Sequence, residues 1–131
     1  MEPRISFVTL GVSDLARATR FYADVLKLPQ KPTPPSISFF VMGPTWLALY
    51  PRDLLAEDAG VPREGSGFRG FALAHNVRSE ADVDALLAEV ATGGGRIMKP
   101  AEKKEWGGYS GYFADPDGFL WEVAWNPGFL L

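Results

Sequence analysis

The chain has 131 residues, 47% of them hydrophobic and 22% charged, with a formal net charge of -3. That length suits one domain burying about two-thirds of its unfolded surface, and the balance of apolar to charged residues excludes a disordered chain. Scattered Lys and Arg under a net negative charge exclude nucleic acid as a partner, and the lack of cysteine excludes disulfides, thiolate nucleophiles and zinc–thiolate sites.

The opening Met1–Ser6 stretch carries no basic segment followed by an apolar one, and no apolar run approaches the ~20 residues of a membrane span. The expectation is a cytoplasmic protein without membrane contact. Ile5–Val12 reads as a buried strand. Ser13 can cap a following helix, in which Leu15, Ala18, Tyr22, Val25 and Leu26 keep helical spacing. Asp14 suits the positive end of the helix dipole, and Leu28-Pro29 with Pro32, Pro34 and Pro35 stops the helix near Leu26. Ser36–Met42 and Trp46–Tyr50 read as strands joined at Gly43-Pro44, with a shorter strand or extended arm in the proline-rich stretch before them.

Pro51–Ser66 is polar and charged, with a short helical turn conceivable at Leu54 and Leu55, and forms the natural linker. The pattern then restarts. Phe68–Val77 reads as a strand, and Ser79 caps a helix with Asp82 at the reciprocal position and Val83, Leu86, Leu87, Val90 and Ala91 on one face. Gly93-Gly94-Gly95 ends it. Arg96–Pro100, Gly108–Ala114 and Phe119–Trp125 follow as strands, the last two joined by the Asp115-Pro116-Asp117-Gly118 turn.

The order repeats: Phe7–Leu10 matches Phe71–Ala74, and Trp46–Tyr50 matches Trp121–Trp125. The predicted fold is α+β, two βαβββ modules at about residues 1–60 and 67–131, forming curled mixed sheets around a concave cavity. Two motifs carry a family resemblance over nearly the whole chain. Ile5 to Tyr22, a strand and then a helix bearing Phe21-Tyr22, and Gly111-Tyr-Phe-Ala-Asp-Pro-Asp-Gly118 followed by Trp121-Glu122-Val123, resemble the vicinal-oxygen-chelate superfamily of glyoxalases, extradiol dioxygenases, and fosfomycin- and bleomycin-resistance proteins. Such a fold hosts many activities, so function rests on the site.

The resemblance implies a homodimer with a small-molecule cavity, and metal ligands at four places that fall on Phe7, Leu47, Phe71 (or Ala72 in an alignment of Val77 with Val12) and Glu122. Of these only Glu122 carries a donor. The chain has one histidine, His75, so a two-histidine centre is excluded unless a single site lies on a dimer axis, and no metal or other cofactor is expected.

Glu122 should project opposite to Trp121, into the cavity, where apolar surroundings would make its carboxyl a general base or a donor to ligand. The competing reading has it neutralised by Arg4, Arg69 or Arg96. His75 offers an acid–base group, or a strand-end hydrogen bond to backbone. Phe7, Thr9 and Leu47 in the first module, and Phe71 and Leu73 in the second, are the expected ligand-lining positions. Trp106 and Tyr109, around Gly107-Gly108, read as a pocket rim or an interface. Phe39, Phe40, Trp46, Trp121 and Trp125 read as core or dimer contacts, and Glu102-Lys103-Lys104-Glu105 as a solvated loop. No phosphate loop, nucleophile elbow or dinucleotide fingerprint is present.

The expected function is metal-independent binding of a small apolar or aromatic molecule, in the manner of a bleomycin-resistance protein. The alternative is a glyoxalase-like lyase or isomerase using Glu122 as base or a rearranged metal site that draws on Asp115 or Asp117.

Overall fold

The computed structural model describes residues 1–32 and 34–128. The chain divides into two compact units, Met1–Gly67 and Phe68–Leu131. Each is a βαβββ arrangement with a four-stranded mixed sheet, and neither sheet is closed. The fold is α+β.

In the first unit β1 (Phe7–Val12) leads into α1 (Leu15–Arg20), and β2 (Gln30–Lys31), β3 (Ser38–Met42) and β4 (Thr45–Pro51) complete a sheet of order β1-β4-β3-β2. β1 runs parallel to β4, and the other neighbours are antiparallel. Asp14, not Ser13, caps α1: its backbone is extended and its Oδ1 accepts from the Arg17 amide at 3.0 Å. Asp is as good a cap as Ser and adds negative charge at the helix N-terminus, while the Ser13 hydroxyl accepts from the Arg17 guanidinium at 3.0 Å.

After Arg20 the helix widens into a π turn over Phe21–Val25, where the Leu26 amide donates to the Phe21 carbonyl at 3.1 Å. Two consecutive aromatics explain it. A regular α turn splays neighbouring side chains about 100° apart, and the wider turn lets Phe21 and Tyr22 both be buried, at 3% and 0% exposure. Tyr22 meets the Phe40 ring at 6.0 Å. Lys27 takes a left-handed conformation (φ 58) and the Leu28 amide donates to the Tyr22 carbonyl at 3.0 Å, ending the helix one residue before Pro29. The stretch expected to hold only a helical turn forms α2 (Arg52–Ala59), closed by Gly60 at φ 71. The Arg52 guanidinium then holds the following loop by donating to the carbonyls of Arg63 (2.8 Å) and Gly65 (3.1 Å).

In the second unit β5 (Leu73–Val77), α3 (Glu80–Thr92), β6 (Arg96–Lys103), β7 (Tyr109–Ala114) and β8 (Leu120–Trp125) give the order β5-β8-β7-β6, with β5 parallel to β8. β5 is shorter than the Phe68–Val77 strand expected, because Gly67 and Gly70 take positive φ (74 and 81) and interrupt extended backbone. β6 is longer, with register shifts between Ile97 and Glu102, so Glu102 and Lys103 belong to a strand end and not to a loop. Ser79 caps α3, its hydroxyl accepting from the Asp82 amide at 3.1 Å, and Gly94 (φ 99) lets the Gly95 amide reach the Val90 carbonyl at 3.0 Å.

Each unit has its core between helix and sheet. In the first, Ala18, Phe21 and Tyr22 are buried with Leu10, Val12, Phe40, Leu47 and Leu49. In the second, Val83, Leu87 and Val90 are buried with Phe113, Trp121 and Val123. No helix among the described residues is long and apolar enough to cross a membrane.

Candidate functional site

One face of each sheet is packed under α1 or α3, and a ligand can be met only on the opposite, open face. In the first unit α2 covers that face at one end, where Arg52 and Leu55 approach Gly11. Ala48 in the first unit, and Ser110 and Ala124 in the second, are buried on it. Strand register decides which residues stand on it. In the first unit Phe7 pairs with Trp46 and Thr9 with Ala48 across β1 and β4, while Phe39 pairs with Ala48 and Val41 with Trp46 across β3 and β4. Residues side by side in register share a face. The open face therefore carries Phe7, Thr9, Phe39, Val41, Trp46, Ala48 and Tyr50, and the helix face Val8, Leu10, Leu47, Leu49, Ser38 and Phe40. Thr19 on α1 joins Ser38 by a hydroxyl–hydroxyl hydrogen bond of 2.8 Å, which marks that side.

Leu47 thus falls on the helix face and is 3% exposed; it does not line the open face as the sequence suggested. The residues that do, Phe39 and Trp46, were read as core or dimer contacts. Phe7, Phe39 and Trp46 form a three-ring cluster with centroid separations of 5.4, 6.0 and 5.9 Å, and Phe7 is 49% exposed. The Lys31 ammonium sits 5.8 Å from the Trp46 ring centroid.

In the second unit Ala74 pairs with Glu122, Glu122 with Tyr112, and Tyr112 with Lys99, giving one row across β5, β8, β7 and β6. Glu122, half-buried, therefore stands on the face opposite Trp121 and Val123. Leu73 and His75 have the opposite parity, in register with Trp121 and Val123, so neither shares the Glu122 face; His75 is exposed on the edge strand. Tyr109 also turns to the helix side, its hydroxyl donating to Asp84 on α3 at 2.7 Å, a bond that pushes the Tyr109 phenol above its ordinary value, with partial burial and the Asp84 charge adding to it. Phe71 lies before β5 and packs on Phe119 at 6.1 Å, and the Arg69 guanidinium covers the same Phe119 ring at 4.5 Å. Trp106 is exposed.

Further polar groups stand in or beside the Glu122 row: Glu102 and Lys104, expected in a solvated loop, and Lys99 and Ser110, for which no role was expected. Lys99 and Lys104 both reach Glu102, at 3.1 and 2.9 Å. The Lys104 hydrogen bond, and then that of Lys99, hold the Glu102 carboxyl below its ordinary range, and Glu102 in turn raises Lys104. Ser110, one row along and fully buried, has a hydroxyl with no hydrogen-bond partner among the described residues. A period-two pattern that alternates through Ser110, Tyr112 and Ala114 was the available signal.

The registers also correct the internal repeat. Leu47 and Leu49 are the helix-side residues of β4, as Trp121 and Val123 are of β8, so Ala48, not Leu47, is the counterpart of Glu122. By the same step Thr9 corresponds to Ala74 and Phe7 to Ala72, the alignment that places Val77 on Val12. The four places at which the resemblance puts metal ligands become Phe7, Ala48, Ala72 and Glu122. Of the four only Glu122 carries a donor, and a resident metal ion needs three or more. Among the described residues no three His, Asp or Glu side chains come together in a metal-binding group.

Two βαβββ units with sheets of matching strand order and a family-type Asp-Pro-Asp-Gly turn define the vicinal-oxygen-chelate class of proteins. Residues 4–123 match the sequence profile of the Glyoxalase/Bleomycin resistance protein/Dioxygenase superfamily, and the chain belongs to it. It is 31% identical over 121 residues to the metallothiol transferase FosB of Shouchella clausii, covering 91% of this chain and 77% of that one. Among solved structures it resembles a glyoxalase-related enzyme from Fulvimarina pelagi (37% identity, TM-score 0.92, 98% of this chain and 92% of that chain). It also resembles a lactoylglutathione lyase from Agrobacterium tumefaciens (27% identity, TM-score 0.76, 99% and 100%).

Proposed function

We propose that this protein binds a small planar organic molecule on the open face of its first sheet, and that it does so without a resident metal. The observation that carries the reading is the Phe7–Phe39–Trp46 cluster. Three rings in mutual contact on a strand face not covered by its helix leave apolar area exposed to water, and a flat ligand that covers it gains burial and ring-contact energy together. The donor set at the four ligand places supports metal independence, because the names of the FosB relatives imply a metal that Phe7, Ala48 and Ala72 cannot coordinate. Exposed Ile5, Phe68 and Met98 support a homodimer, in which a second copy covers some of this area.

The test is a thermal-shift panel of flat aromatic and heteroaromatic compounds, run beside nickel, zinc and magnesium titrations and a metal assay of protein purified without chelator. A binder raises the melting temperature by mass action. A rise with a flat compound, lost in Trp46→Ala, is expected. Stoichiometric metal that disappears in Glu122→Ala would overturn the metal-free reading.

A second reading has its own observation. Half-buried Glu122 and Tyr112, with the buried Ser110 hydroxyl that has no partner among the described residues, make the face of the second sheet away from α3 polar, which suits a lyase or isomerase in which Glu122 moves a proton. The similarity to a lactoylglutathione lyase agrees with it. Lyase or isomerase turnover by wild type, abolished in Glu122→Gln without change in melting temperature, would establish it.

A further inference from the structure

The strand positions on the open face of the first sheet carry one charge. Lys31 pairs with Phe39 in register, so the row across β1, β4, β3 and β2 reads Thr9, Ala48, Phe39, Lys31. The neighbouring row holds Phe7, Trp46 and Val41. No carboxylate occupies any strand position on this face, and the acidic groups paired in this unit, Glu2 with Arg4 and Asp53 with Arg63, lie outside its strands. Among the described residues Lys31 meets an aromatic ring and no acid.

That arrangement favours one kind of ligand. The Trp46 ring holds the ammonium by cation–π attraction, so little side-chain freedom remains to be lost when an anion arrives. Phe7 is 49% exposed, so the ring cluster offers apolar surface on which a flat ring can lie beside Phe39 and Trp46. A ring lying against Phe39 and Trp46 brings a carboxylate on its edge to Lys31, whose ammonium already sits over the Trp46 ring, and the opposite charges attract. The Thr9 hydroxyl, at the far end of the row and about 14 Å away at the usual strand spacing, can meet a second polar group.

We propose that this face selects planar aromatic carboxylates and that Lys31 sets the preference for negative charge. The inference rests on the reading of the same face as a binding site for flat molecules.

The probes are a naphthalene carboxylate and its neutral carboxamide, with affinities measured by calorimetry for wild type, Lys31→Met and Lys31→Arg. Lys31 is exposed, so both variants should fold, and Met keeps the apolar stem. The carboxylate is expected to bind wild type roughly tenfold more tightly than the carboxamide, the worth of one charge-assisted hydrogen bond. Lys31→Met should equalise the two by weakening only the carboxylate, Lys31→Arg should restore the gap, and added salt should narrow it. Equal binding of both probes to wild type, or a preference that survives Lys31→Met, overturns the role of Lys31 and leaves the aromatic face standing. Binding of neither probe overturns both readings.

Discussion

Gly111 on β7 lies directly beneath Leu87 of α3: a Cβ at Gly111 would stand 2.8 Å from Leu87 Cδ1 and 2.9 Å from both the Ala101 amide nitrogen and the Lys99 carbonyl oxygen. The leucine tip can rotate away, but the two backbone atoms belong to the neighbouring strand β6 and cannot move without breaking the sheet. Gly111→Ala is therefore expected to destabilise the second unit by about 1–3 kcal/mol, the usual cost of overpacking. Chemical denaturation of wild type and variant checks it, and an unchanged midpoint would show that β6 shifts freely.

Asp115 fixes the turn between β7 and β8. Its buried Oδ1 (residue 4% exposed) accepts from the amides of Asp117 (2.9 Å) and Phe119 (2.8 Å). Asp115→Ala removes the oxygen that accepts both bonds and strands the Phe119 amide in the interior, so a loss of about 2–4 kcal/mol is expected. Asp115→Asn keeps one side-chain oxygen and should lose roughly half as much. Equal losses for the two variants would mean that the charge, not the geometry of acceptance, holds the turn.

Local signals in the sequence located the elements well, and register was the part it hid. Ser79, the glycine triplet and Asp115–Gly118 each act within a few residues, so a cap, a stop and a turn are legible without the rest of the fold. The side of a sheet on which a residue stands depends on a partner strand far along the chain. Matching Trp46 to Trp121 by identity therefore slid β4 by one residue against β8 and exchanged Leu47 for Ala48. The same slip hid Trp46 and Phe39 as open-face residues. Tyr109 misled for a related reason: its pull toward α3 comes from Asp84, twenty-five residues earlier. The π turn was unreadable because helical spacing of Ala18, Tyr22 and Leu26 fits a plain α-helix equally well.

The Tyr109–Asp84 bond should give stability a pH dependence at the alkaline end. The hydrogen bond to Asp84 raises the Tyr109 phenol in the folded protein above its unfolded value of about 10. A folded group that holds its proton more tightly contributes stability fully below the unfolded pKa, and that contribution is lost as pH rises through the folded one. Wild type is thus expected to melt above Tyr109→Phe at neutral pH, and the two curves should converge above pH ~10. Curves that coincide at neutral pH would mean that the bond contributes nothing to folding, and an offset that persists unchanged well above pH ~10 would mean that it does not depend on the Tyr109 proton.

Neighbours on one strand offer the sharpest separation of fold from site. Leu47 is packed under α1 at 3% exposure, while Trp46 stands beside it on the open face among Phe7, Phe39 and Lys31. Leu47→Ala opens a cavity between helix and sheet and is expected to cost about 2–5 kcal/mol. Trp46→Ala deletes a larger side chain, yet leaves no cavity inside the core, because the ring already borders water. Its stability cost should be the smaller of the two, and its cost in affinity for a flat aromatic ligand the larger. Melting curves and ligand titrations on both variants check the pair. If Trp46→Ala proved the more destabilising and left affinity intact, the aromatic cluster would be packing and the binding site would have to be sought on the second sheet, in the row of Glu122 and Tyr112.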